Sequence, residues 1–390
     1  PRRGQSLIPA PYGGAGAEEC RGEYFSGSSI MNLKNYTEQQ LTDYIKDAKA
    51  KLDSRLVIPA HHYIRPELVE LADFTGDSYK LAVDVSRSDA EFIVFCGVRF
   101  MADSASILAK PGQHILLPDM DAGCPMAEMI DEETAEDAVN RISSVCSRSI
   151  APLVYMNSYA DSKSFCGRKG GAVCTSSNAE KLVRYYMEKN KSIFFFPDYH
   201  LGRNVAESLG IDKNLIVRVG RDLSLEEGKN LRDAKMFLWD GFCPIHQEFS
   251  IEDVKAVREK YPDATIIVHP ESKREVVELT DMSGSTQMIY NTIEKSPEGS
   301  SWVIGTELTF VSRIAGTFKD KKIVPLKPSP CKNMVKVNLL NTAEVIQSID
   351  EYISGKGILK NEITVDEKLK VNARIALNRM IDIVEGREIG

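Results

Sequence analysis

The chain has 390 residues, 43% hydrophobic and 27% charged, the balance of a folded soluble protein rather than a disordered one. A formal net charge of −7 argues against nucleic acid as the main partner, and no apolar run approaches the roughly 18 residues of a membrane-spanning helix. The length predicts two or three structural units instead of one core.

Residues 1–30 are rich in Gly, Ala, Pro and Ser and lack an apolar signal-peptide core, so Pro1–Ser29 reads as a leader or appended tail, with Met31 the expected natural start. Eight cysteines without a secretion signal point to a reducing cytoplasm. There they serve as core thiols, metal ligands or nucleophiles. Asn35–Asp53 is predicted as an amphipathic helix, with Thr37 and Gln40 at capping-box spacing and Leu41, Tyr44, Ile45, Ala48 and Leu52 on one face. A strand, LVIPA, then runs into His61, and strands and helices alternate from there on, which predicts parallel α/β units.

The alternation repeats on a coarser scale. Three strands end in polar words, LVIPAHHY, PLVYMNSY and TIIVHPES. Each leads to a hydroxyl-rich word that opens a helix: Ser78 lies 17 positions after His61, Ser176 19 after Asn157, and Thr286 17 after His269. Each repeat closes on a cysteine just past a further strand: Cys124 in AGCPMAEM, Cys243 in GFCPIHQ and Cys331 in PSPCKNM. The middle repeat takes 67 positions from Ser176 to Cys243, against 46 and 45 in the others, so an insertion is expected near 212–234. The predicted fold class is α/β. Three pseudo-symmetric three-layer α/β/α units, 31–128, 129–246 and 247–333, would pack short parallel sheets around a central cavity. Two helices, Thr342–Ser354 and Thr364–Glu385, are expected in a C-terminal segment 334–390, the second starting from a Thr364/Glu367 capping box.

Ligands of open α/β units sit outside the carboxyl ends of their strands. All three polar words and all three cysteines fall at such ends. A lone cysteine is more often a buried small hydrophobe, and Cys96, in a strand, and Cys174, before a helix, fit that reading. Cys20, Cys146 and Cys166 are given no role. Cys124, Cys243 and Cys331 differ because they hold matching places in a repeat. Structural zinc sites tend to use four ligands with close pairs. Three widely spaced thiolates also suit a [4Fe–4S] cluster with one iron open to substrate, which then acts as a Lewis acid. Ser or Thr opening a helix is usually an N-cap, but three helix N-termini facing one cavity would also hold carboxylates or a phosphate. His61 and Tyr63, and likewise His269 and Glu271, share an i, i+2 spacing, as do Tyr155 and Asn157. A glutamate beside a histidine and an open metal site is a candidate general base. His246 lies three residues past Cys243 and is a candidate neighbour of the metal.

The words AHHYIRPEL, ADFTGDS, GVRFMADSASIL, AGCPMAEM, YMNS, CTSSNA, PDYHLGRNVA, GFCPIHQ, VHPE, GSTQM, GTE and SPCKNM, in this order, resemble the quinolinate synthase family over roughly Asn35 to Val384. The resemblance implies a cytoplasmic enzyme of pyridine nucleotide (NAD) biosynthesis that condenses iminosuccinate with dihydroxyacetone phosphate to quinolinate, releasing phosphate and water. It implies a [4Fe–4S] cluster on Cys124, Cys243 and Cys331. It further implies substrate contacts from His61, Ser78, Tyr155, Asn157, Ser176, His269, Glu271 and Thr286, with Tyr63, Glu271 and His269 catalytic. Functional coupling to an L-aspartate oxidase would supply the imine. The alternative is an iron–sulfur hydro-lyase acting on a hydroxy-dicarboxylate. Two departures stand out: Cys331 is alone where some relatives carry a C-x-x-C-x-x-C run, and His62 stands where some carry Asn. His62 is left out of the predicted site.

Overall fold

A computed structural model describes residues 32–387 of the chain; the expected tail, Met31 and Cys20 lie outside the described residues. The strands form short sheets, and every strand pair among the described residues is parallel. The first group holds β1 (Leu56–Val57), β2 (Pro59–His61), β3 (Phe74–Gly76), β4 (Phe92–Val94) and β5 (His114–Leu116). The predicted LVIPA strand is broken between β1 and β2, where the Ile58 N–H donates to Asp73 Oδ2 at 2.7 Å and Pro59 has no N–H to give. A parallel bridge from Ala60 to Cys96 carries the ladder across the break. The second sheet holds β6 (Ile150–Tyr155), β7 (Ala172–Cys174), β8 (Ser192–Phe196), β9 (Ile216–Val219) and β10 (Met236–Trp239). The third holds β11 (Thr265–Val268), β12 (Met282–Ser283), β13 (Ser301–Gly305) and β14 (Lys322–Pro325).

The strand order is the same in each. It runs β12-β11-β13-β14 in the third sheet, β7-β6-β8-β10 in the second, and β3 beside β2, then β1-β4-β5, in the first. In each the strand order therefore reverses between the first and third strands, the switch point at which open α/β sheets bind ligands. The residues expected as an insertion near 212–234 supply β9, an extra edge strand on β10. The likeness extends to detail: Ile266 N–H donates to Asp281 Oδ2 at 2.7 Å, as Ile58 does to Asp73.

Both faces of the sheets are covered. In β11, Ile266 and Val268 join one apolar cluster and Ile267 another, as the alternation of side chains along a strand requires. In β8, Ile193 and Phe195 face one cluster and Phe194 and Phe196 the other. These near-continuous apolar strands are the pattern of a parallel sheet between two helix layers.

The first helix runs Glu38–Leu52 with the expected capping box from Thr37 and Gln40. The two C-terminal helices are Leu339–Ile353 and Glu367–Glu385. The last starts later than predicted. Asp366, and not Thr364, is its N-cap and accepts the Lys368 N–H, because an aspartate next to the first turn competes better for those donors. Gly386, in the left-handed region at φ 72°, closes it. This helix packs on the helix Ala160–Arg168 at Gly167, where a Cβ would lie 1.9 Å from the Asn372 carbonyl oxygen. Cys96, Cys166 and Cys174 are buried thiols; Cys174 ends β7 and does not precede a helix directly.

Candidate active site and metal centre

The first-strand tips and the cysteine loops of all three sheets line one buried cavity of about 80 Å³. Its wall includes His61, Tyr63, Ser78, Cys124, Tyr155, Asn157, Ser176, Cys243, His269, Glu271, Thr286 and Cys331, every residue expected to bind substrate or metal or to act in catalysis, together with His246. Asp77 and Ser176 are shared with an outer groove of about 930 Å³ between the helices that follow the strands.

The i, i+2 spacing takes a defined form. His61 Nδ1 accepts the Tyr63 backbone N–H at 3.2 Å, and His269 Nδ1 accepts the Glu271 N–H at 3.4 Å. Both rings are thereby assigned the Nε2–H tautomer, which turns a donor outward; that of His269 meets Ser176 Oγ at 3.2 Å. Burial pushes both imidazoles below their usual range, His269 to about 3, so each is a neutral donor.

The three hydroxyls Ser78, Ser176 and Thr286 are not themselves the caps. Ser78 and Thr286 are the first residues of the helices Ser78–Arg87 and Thr286–Lys295, whose caps are Asp77 and Ser285. Ser176 lies in the turn before the helix Ala179–Glu188. Relieved of capping, the hydroxyls stand on the cavity wall at the positive ends of helices.

A row of polar side chains crosses the cavity. Thr286 Oγ1 donates to Tyr63 Oη at 3.0 Å, which meets Thr306 Oγ1 at 2.7 Å. Thr306 Oγ1 meets His246 Nε2 at 3.0 Å, and His246 Nδ1 lies 2.7 Å from Glu271 Oε2. Tyr155 Oη donates to Glu271 Oε1 at 2.5 Å. Burial acts to raise Glu271, but His269 and His246 and the hydrogen bonds from His246 and Tyr155 outweigh it and hold the carboxyl below its usual range. Burial and the Glu271 charge push the Tyr63 and Tyr155 phenols up, so both remain proton donors.

The cysteine loops repeat a local geometry. The peptide group three residues on, that of Ala127, His246 and Met334, acts to lower the thiol of Cys124, Cys243 and Cys331 respectively. That effect favours thiolate over thiol, yet burial holds the metal-free thiols up, Cys124 at about 12. Preorganised but undischarged sulfurs, unpaired in any disulfide, are the donor set a thiophilic metal or cluster fits. Cys243, His246 and Glu271 also bring their ligand atoms within 4.8 Å of one another.

Thr306, Glu307 and Thr175 line or feed the same cavity and were not predicted. Thr306 and Glu307 follow β13, the third strand of its sheet, whose tip carries no histidine to announce it. The signal was the switch-point rule, which makes third-strand tips as close to a ligand as first-strand tips. His62 stays out of the cavity wall: its Nδ1 accepts from Arg313 at 3.0 Å and its Nε2 meets Gln287 Oε1 at 3.0 Å.

Switch-point tips, a buried carboxylate held by Tyr155, and three thiols on one cavity wall define an α/β protein with an enclosed polar site and a candidate cysteine metal centre. The sequence model for quinolinate synthetase A protein matches residues 43–382. A Bacillus cytotoxicus protein named quinolinate synthase is 42% identical over 362 residues, 91% of this chain and 97% of its own. One of the same name from Bacillus cereus strain B4264 is 42% identical over 345 residues, 87% and 92% of the two chains. The chain belongs to the quinolinate synthase family. It is an enzyme of a condensation step.

Proposed function

We propose that the chain condenses iminosuccinate with dihydroxyacetone phosphate to quinolinate, with loss of phosphate and water, on a [4Fe–4S] cluster held by Cys124, Cys243 and Cys331. The observation that carries this reading is the convergence of those three thiols with Glu271 on one buried cavity in a chain of this family. Cys124, Cys243 and Cys331 would hold the cluster, which when bound would supply Lewis-acid chemistry toward a carboxylate or hydroxyl oxygen of the substrate.

The protein's own groups supply the rest. The Nε2–H groups of His61 and His269, the Asn157 amide and the hydroxyls of Ser78, Ser176 and Thr286 face the cavity from three sides. Together with the helix N-termini they suit a ligand bearing carboxylates and a phosphate. Enclosure keeps water from the imine, which hydrolyses readily. Glu271, held ionised, is the base for carbon-bound protons. Tyr63 is the acid for a departing oxygen, and Thr286 and Thr306 fix its phenol. Thr306 is hydrogen-bonded to both Tyr63 and His246, and His246 Nδ1 lies 2.7 Å from Glu271 Oε2, so these side chains line the route between the base and the acid. Tyr155 orients the carboxylate.

Iminosuccinate must come from an enzyme that oxidises the amine of aspartate, and functional coupling to such an oxidase would shorten the life of the free imine. No helix among the described residues is long and apolar enough to cross a membrane. The unpaired cysteines favour the reducing cytoplasm. The test is an anaerobic assay with both substrates: quinolinate formation is expected, and its absence from iron-loaded protein sinks the reading.

A further inference from the structure

Each sheet has a helix that follows its third strand and begins beside a cysteine loop: Arg99–Leu108, Tyr199–Ser208 and Leu308–Thr317. In the second and third sheets its N-cap is an acid with no exposed surface, Asp198 and Glu307. Both acids do two things at once. Asp198 Oδ1 accepts the Leu201 N–H at 2.7 Å, the ordinary capping bond, while Oδ2 accepts the backbone N–H of Cys243 at 3.2 Å. Glu307 Oε2 accepts the Phe310 N–H at 3.0 Å, while Oε1 accepts the backbone N–H of Cys331 at 3.1 Å. In the first sheet the cap is Val98, which has no acceptor to offer.

A cap alone does not call for this. Serine, asparagine or threonine would serve, and burying a carboxylate is costly unless both oxygens are used. The doubling at matching places in two sheets, 45 residues in sequence from Cys243 and 24 from Cys331, ties the third-strand tip to the loop that presents sulfur. We propose that Asp198 and Glu307 are positioning residues that fix the Cys243 and Cys331 loops for the metal centre, while the Cys124 loop is held without such a carboxylate. The inference rests on the cluster reading above for its metal arm, but the loop geometry is measurable without metal.

Asp198→Asn and Glu307→Gln separate the two jobs. An amide keeps one oxygen for the cap and replaces the other with an NH₂ that cannot accept a cysteine N–H. On the iron-free chain, timed alkylation read peptide by peptide should show Cys243 faster in Asp198→Asn and Cys331 faster in Glu307→Gln, with Cys124 unchanged in both. On anaerobically loaded protein, each variant should release iron to a ferrous chelator about tenfold faster than the parent, with an altered EPR line shape after reduction. Thr37→Ala, which removes a distant helix cap, controls for lost stability. Unchanged alkylation of Cys243 and Cys331 overturns the proposal, as does a Thr37→Ala variant that reproduces the same pattern. A parent chain that takes up no iron contradicts the cluster reading instead, and alkylation then decides the positioning role.

Discussion

Glu271 is the residue on which the acid–base reading turns. It is buried, ionised, and gripped on one oxygen by Tyr155 and on the other by His246. Glu271→Gln removes the base while leaving the three thiols in place, so iron content should persist and turnover fall by roughly 10²–10⁴; near-parental turnover would take Glu271 out of the chemistry. Thr306 gives a finer test. Thr306→Val keeps the shape but removes the hydroxyl joining Tyr63 to His246. We expect kcat to fall about tenfold or more with KM little changed, and Thr306→Ser to restore most of it. Equal kcat in the Val and Ser variants would show the hydroxyl to be idle. Glu271 was legible from its place two residues after His269. Thr306 was not, because a threonine after an apolar strand carries no chemical signature until the strand order puts β13 beside β11.

At the scale of elements, the helix packing depends on close approach. Gly167 lets the helix Ala160–Arg168 lie against Glu367–Glu385, with the Asn372 carbonyl where a side chain would go. The obstacle is backbone, which cannot rotate away. Gly167→Ala should cost on the order of 2 kcal/mol or more, read as a lower urea midpoint at unchanged m-value; an unchanged midpoint would mean the helices separate freely. The alternation of apolar strands and helices, the capping box at Thr37 and the near-equal spacings from polar word to hydroxyl word made the three sheets readable, and the longer run to Cys243 marked the insertion. The helix starts were less so. Asp366 took the cap expected of Thr364, and Ser78 and Thr286 were freed for the cavity by acidic or hydroxyl neighbours one residue earlier. Spacing locates a helix start only within a few residues, and which neighbour wins the N–H groups is decided by local backbone geometry. The extra length near 212–234 was countable, but that it would become an edge strand on β10 depended on pairing partners distant in sequence.

Across the whole molecule, His61, His62 and His269 are buried neutral where the sheets meet. His62 joins Arg313 and Gln287 of the third sheet's helices to the first sheet. Burial, and then the Arg313 charge, lower it to about 4 against the hydrogen bond to Gln287. In the unfolded chain it titrates near 6.5. Between those values the unfolded state binds the proton and the folded state does not, so stability is full above about pH 6.5 and drains away as pH falls toward 4. The loss from His62 is on the order of 2 kcal/mol by pH 5. Urea midpoints at pH 7.5 and pH 5 should therefore converge in His62→Gln, relative to the parent; an equal drop in both would place the acid sensitivity elsewhere. The same assembly that buries these histidines brings one cysteine from each sheet to a common wall. The measurement that tests this most directly is iron per chain after anaerobic loading, in the parent and in Cys124→Ser, Cys243→Ser and Cys331→Ser. We predict about four irons in the parent and loss of most of them in every single variant. Full iron in any one of the three variants would contradict a cluster shared among the three sheets.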